Sequence, residues 1–145
     1  MTVILFIHLM AIGIWAGCLA IETVCELDQE NVHFKDSYIA ALHWKIDKFV
    51  EIPALLITLV TGSIMLANAP SNPILMIKII AGLLAVFFNA IAVFLIYKRY
   101  HCYLQNDEVG YKKYEMWHHR FGLGCIVSVI TAIVAGGYYI TGFAS

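Results

Sequence analysis

The chain has 145 residues, of which 61% are hydrophobic and 13% charged, a balance that excludes an ordinary water-soluble domain and points to a membrane. Nine basic against ten acidic side chains leave a net charge of -1, so no basic face is on offer to a nucleic acid. Four cysteines at positions 18, 25, 102 and 125 form no C-x-x-C pair, which excludes a disulfide scaffold.

About 20 apolar residues of helix cross a hydrocarbon layer of roughly 30 Å, and four stretches of that length occur. The first, near 3–25, has no Lys or Arg before it and carries Glu22 inside the same helix, so it reads as a retained span rather than a cleaved leader. Gly13 and Gly17 give it a G-x-x-x-G that suits close helix packing. The second lies near 45–67, and Ser37 is placed to cap a helical run towards it through Ala40, Leu42, Ile46 and Phe49. Asn68-Ala-Pro-Ser-Asn-Pro73 is a tight turn of helix breakers. The third span lies near 74–100 and the fourth near 115–143, with 114–120 forming its first turns. Residues 27–48 and 98–120 are longer polar connections. The expectation is an all-α integral membrane four-helix bundle, one domain over 1–145, with the lipid bilayer and further copies of itself as partners.

Every charged side chain except Lys78 falls between Glu22 and Glu51 or between Lys98 and Arg120. Retained Lys and Arg mark the cytoplasmic side. Lys35, Lys45, Lys48, Lys98, Arg99, Lys112, Lys113 and Arg120 therefore place both long loops in the cytoplasm and both termini outside, as in a multi-pass protein of the bacterial inner membrane.

Carboxylates and imidazoles gather at the inner end. Glu22 and Glu26 are spaced i, i+4 on the first span, and His43, Asp47 and Glu51 follow i, i+4, i+8 on the second, so each set shares a helical face. The fourth opens with Glu115, His118 and His119, in which Glu115 and His118 have the E-x-x-H spacing of di-metal carboxylate bundles. Oxygen and imidazole donors together suit zinc, iron or manganese. Glu22 and Glu51 stand out because each lies in or beside an apolar run, where a bare carboxylate costs a few kcal/mol and normally faces a partner. Solvated helix ends joined by salt bridges are the competing explanation for Glu26, Asp47, Lys48 and Glu115. His33 and His101 read as surface histidines.

Nearer the outer side, His8, Trp15 and Glu22 recur at i, i+7, i+14, and Lys78, Gly82, Ala85 and Asn89 form a similar stripe on the third span. Together they sketch a polar track through the bundle. His8 is otherwise a core histidine bonded to a neighbouring helix, and Lys78 otherwise a snorkelling interfacial lysine. Met10, Met65 and Met76 offer thioethers of the kind copper(I) takes, or plain packing.

His8-Leu-Met-Ala-Ile-Gly-Ile-Trp15-Ala-Gly17 resembles the H-x6-W-x-G opening of the HemJ family of protoporphyrinogen oxidases and of the CopD-type copper-resistance membrane domains. Leu42 to Leu59, with Pro53 and Thr58, resembles the second span of the HemJ family, and Ile77-Lys78-Ile79 the start of its third. The resemblance covers roughly the first hundred residues. It implies an oligomeric four-helix membrane bundle that holds b-type haem or handles a metal, with His8 as haem ligand and Lys78 as the family's lysine. The chain departs from the HemJ pattern at Asn89, where that family has histidine, and at Glu22, near which it has arginine; the N-E-x-P opening of the fourth span is absent.

Three readings follow. One is a membrane protein binding one or two divalent transition-metal ions through Glu22, Glu26, His43, Asp47, Glu51, Glu115, His118 and His119. Another is a haem b oxidoreductase acting on a porphyrin or a quinone, with His8, Trp15, Lys78 and Asn89 around the cofactor. The last is a non-catalytic subunit or assembly factor. No nucleophile elbow, phosphate loop or dinucleotide fingerprint is present.

Overall fold

The computed structural model describes residues 2–28, 38–67, 69–70 and 72–142. The expected cap Ser37, together with His33 and Lys35, lies outside the described residues. Four long helices make up the fold: α1 (Thr2–Asp28), α2 (Ile39–Leu66), α3 (Pro73–Leu104) and α4 (Glu108–Thr141). Each is long and apolar enough to cross a membrane. The chain is an all-α four-helix bundle, with α1 packed along α2 and α3 along α4.

Asn72 starts α3 because its side-chain oxygen accepts the Ile74 N–H at 2.8 Å and Pro73 occupies a first-turn position where no N–H is needed. The polar connection over 98–120, expected to be helical at its two ends, is helical almost throughout. Only 105–107 interrupts it, with Asn106 in the left-handed region (φ 55) that Asn tolerates. Asp107 then restarts the chain by accepting the Gly110 N–H at 3.0 Å. With 32 and 34 residues, α3 and α4 are about 48 and 51 Å long. They exceed a hydrocarbon layer of roughly 30 Å and prolong the bundle beyond it.

Within α2, residues Asp47–Glu51 form a π turn closed by the Ile52 N–H on the Asp47 carbonyl. Pro53 explains its place: it has no N–H to give the Phe49 carbonyl, so the ladder opens there. A stripe at every fourth residue of an α-helix drifts by about 40° per step. The wider π turn winds less per residue and offsets part of that drift. His43, Asp47 and Glu51 therefore stay together on the buried face.

The bundle is apolar outside and polar within. Val3, Phe6, Ile21, Phe87, Val134 and Ile140 are among many large apolar side chains on the outer faces, which suits contact with lipid. His8, Glu22, Asp47, Glu51, Asn89 and Arg99 are buried. Two small apolar clusters enclose this polar layer. Trp15, Ala54, Leu55, Ala85, Cys125 and Val129 lie on the side towards the middle of the bundle, and Ala40, Cys102 and Tyr111 at the polar end.

Candidate functional site

Four buried stripes converge on the polar layer. Along α1 the buried residues are His8, Ala11, Trp15, Cys18 and Glu22. On α3 the face that carries Ala81, Ala85 and Asn89 continues through Ala92 and Ile96 to Arg99, while α4 contributes Tyr111, His118, Cys125 and Val129. Those of α1 and α3 recur at three or four residues and those of α4 at seven or four, spacings that keep side chains on one side of a helix.

The expected eight-residue constellation divides into two neighbouring groups. In the first, Glu22 from α1 and Asp47 and Glu51 from α2 bring one carboxyl oxygen each to within 4.8 Å of one another, and all three residues are buried. Trp15 Nε1 donates to Glu51 Oε1 at 3.1 Å and to Asn89 Oδ1 at 3.3 Å, while the Cys125 thiol points at the same Asn89 oxygen at 3.6 Å. Glu22 Oε1, Asp47 Oδ1 and Asn89 Nδ2 have no hydrogen-bond partner. Among the described residues no Lys or Arg forms an ion pair with the triad. Two ionised carboxylates this close repel by roughly 3 kcal/mol even at an effective dielectric of about 20. The triad must therefore be balanced by protons or by a cation.

The second group is built around Arg99, which is fully buried on α3. Its guanidinium donates to Glu26 Oε1 at 2.6 Å, to Glu115 Oε1 at 2.7 Å and to the Tyr111 hydroxyl at 2.9 Å, and its plane sits 4.7 Å from the centre of the Tyr111 ring. Glu26 is also paired with His119 Nε2, and its Oε1 lies 3.2 Å from His118 Nδ1 and 3.6 Å from His43 Nδ1. Neither of those last two is a hydrogen bond: the His118 contact is close but misaligned, and both ring nitrogens of His43 are buried without a partner. Glu115 and His118, expected to share an ion, face Arg99 and Glu26 respectively. A guanidinium thus occupies the place between Glu26 and Glu115 that a second ion would need.

Arg99 was legible in the sequence only as a topology-setting charge. Extending the Lys78–Asn89 stripe by three and four residues through Ala92 and Ile96 reaches it, as steps of seven from Cys125 back through His118 reach Tyr111.

Towards the other end, His8 Nδ1 is 2.8 Å from the Thr61 hydroxyl, which itself donates to the Ile57 carbonyl at 2.6 Å. Gly62 makes room for the ring: a Cβ there would stand 3.2 Å from His8 Cε1. Lys78 is half-buried, its stem lying against Gly136. Thr61→Val keeps the shape and removes the hydroxyl from a buried imidazole. It is expected to cost about 1–3 kcal/mol, read as a lower thermal midpoint in detergent, and to leave ion binding at the triad unaltered.

A cavity of about 950 Å³ opens onto the polar layer, lined among others by Glu22, Asp47, Glu51, Asn89, His118 and His119. His8 does not line it. No family model, no curated protein and no solved structure matches the chain.

Proposed function

We propose that this membrane protein binds a divalent transition-metal ion at Glu22, Asp47 and Glu51. The observation that carries the reading is three buried carboxyl groups within 4.8 Å of one another, two of them with an oxygen that nothing else satisfies. The donor set is all oxygen, which among zinc, iron and manganese favours manganese. Three carboxylates leave positions open on an ion that prefers about six ligands, so the site suits binding and polarising a further oxygen ligand rather than a closed structural role. Trp15, which donates to both Glu51 and Asn89, orients Glu51, and Arg99 holds Glu26 one turn along α1 from Glu22, supporting contacts of the kind that metal sites use to fix their ligands. We place the site at the cytoplasmic face of a bacterial inner membrane, following the lysines and arginines around it, in an assembly of several copies.

The test is elemental analysis and Mn²⁺ titration of the protein purified in detergent. Wild type is expected to hold one ion per chain, with Glu22→Gln and Glu51→Gln each weakening binding by about tenfold or more. A metal-free wild type, or undiminished metal in both variants, overturns the reading.

The HemJ-like opening supports a second reading, a b-type haem on His8, since His8 is a buried imidazole in the apolar part of the bundle. Thr61 bonds Nδ1, so iron would take the other ring nitrogen, Nε2, and Thr61 would hold the ring in place. An absorption spectrum separates the two readings: a Soret band abolished by His8→Ala supports haem, and a colourless protein that holds metal rejects it.

A further inference from the structure

The polar cavity does not end at the triad. It shares Leu19, Thr23 and Ile126 with an apolar groove of about 400 Å³ that runs on between α1 and α4, walled by Ala16, Ala20, Val129, Ile130 and Ile133. The two helices barely touch along this stretch. Residues 16–23 and 126–133 each rise about 10 Å along the helix axis, so the groove is a slot open to the hydrocarbon side with a charged chamber at its head.

We infer that the ion site is reached from within the bilayer, and that its ligand is an amphiphile whose apolar chain lies in the α1–α4 groove and whose hydroxyl oxygen completes the coordination of the ion. This rests on the metal reading above and adds the class of molecule the ion serves. The head group follows from the charges. Glu26 and Glu115 share the single charge of Arg99, Arg120 lines the chamber as a further cation that offsets the remainder, and Glu108 is paired with Lys112 at 2.8 Å. The three triad carboxylates remain, and a divalent ion offsets two of them. The chamber then keeps an excess of negative charge, which repels a phosphate or carboxylate head. An ammonium head has no lone pair with which to ligate. A hydroxyl has one for the ion, and a proton for an oxygen such as Glu22 Oε1 or Asp47 Oδ1, neither of which has a partner. The groove adds van der Waals contact with Ala16, Ala20 and Ile130 and sets the path of the chain, with no hydrophobic gain over the surrounding lipid tails.

The experiment uses wild-type protein in phosphatidylcholine nanodiscs with Mn²⁺, and 1-decanol labelled with ¹³C at C1 as the probe. Bound Mn²⁺ broadens the resonance of a carbon held beside it. The expected result is broadening of C1 in wild type above the level in discs with Asp47→Leu, which loses a ligand. Ala20→Trp fills the groove without touching a ligand and is expected to retain Mn²⁺ and lose the broadening. Ile130→Trp narrows the slot from the opposite wall and serves the same purpose should Ala20→Trp fail to fold. Wild type that holds Mn²⁺ yet shows no broadening overturns this inference and leaves the metal reading standing. Wild type that holds no Mn²⁺ overturns both. Broadening that survives both tryptophan variants shows that the groove is not the route. Cross-linking of Ala20→Cys into a dimer through the groove shows that a second copy fills it; either result also overturns the inference.

Discussion

Arg99→Met is expected to destabilise the protein by about 3–5 kcal/mol, the range for removing one partner of a buried ion pair. Arg99 is fully buried and holds Glu26 of α1 and Glu115 and Tyr111 of α4 at once, so it ties α1 to the α3–α4 hairpin in the polar layer. Without it Glu26 is a buried carboxylate left to histidines that are charged only when protonated. Arg99→Lys keeps the charge but not the planar fork that reaches three groups, and is expected to recover only part of the loss. Glu26→Gln combined with Arg99→Met should cost less than the sum of the single changes, because the stranded charge goes with its partner. Thermal unfolding in detergent reads wild type, the three single variants and the double variant. A midpoint for Arg99→Met equal to that of wild type would show that the network is ornamental.

Asp47→Leu should act with the opposite sign. Asp47 sits between two other buried carboxyl groups with one oxygen unsatisfied, so without an ion it is a source of strain. An apolar replacement is expected to stabilise the metal-free protein by about 1–4 kcal/mol, as such replacements of buried charge often do. The same change removes a ligand. Wild type at a Mn²⁺ concentration a hundred times its dissociation constant should gain about 2.7 kcal/mol, and Asp47→Leu nothing. The two melting series, with and without Mn²⁺, therefore converge or cross. Should Asp47→Leu be less stable than wild type in the absence of ion, or respond to Mn²⁺ as wild type does, the triad is a packing feature and holds no metal.

How far the site could be read ahead of the coordinates depended on depth in the apolar runs. Glu22 and Glu51 stood out because a carboxylate in hydrocarbon needs a partner, and both are buried in the triad. Glu115 and Arg99 sat among other charges in what read as a polar connection, where nothing in the spacing separated a solvated side chain from a buried one. The connection proved to be two helices joined at 105–107, and that continuation is what buries Arg99 against Tyr111. The π turn at Asp47–Glu51 had a visible cause in Pro53, but its effect on the stripe was not legible, because an unbroken helix was the expected geometry.

The sequence by itself determined the membrane, the four helices and the crowding of charge at one end, because these depend on length and hydrophobicity summed over about 20 residues and are indifferent to detail. It also determined which faces point inward, through the recurrence of polar residues at three and four positions. The choice of partner belonged to the tertiary structure. Five carboxylates and three imidazoles at one depth can be grouped in many ways, and distances of a few ångströms decide which of them share a charge. Only the packed bundle put Arg99 between Glu26 and Glu115, left Glu22, Asp47 and Glu51 to balance one another, and kept α1 far enough from α4 to leave an apolar groove between them.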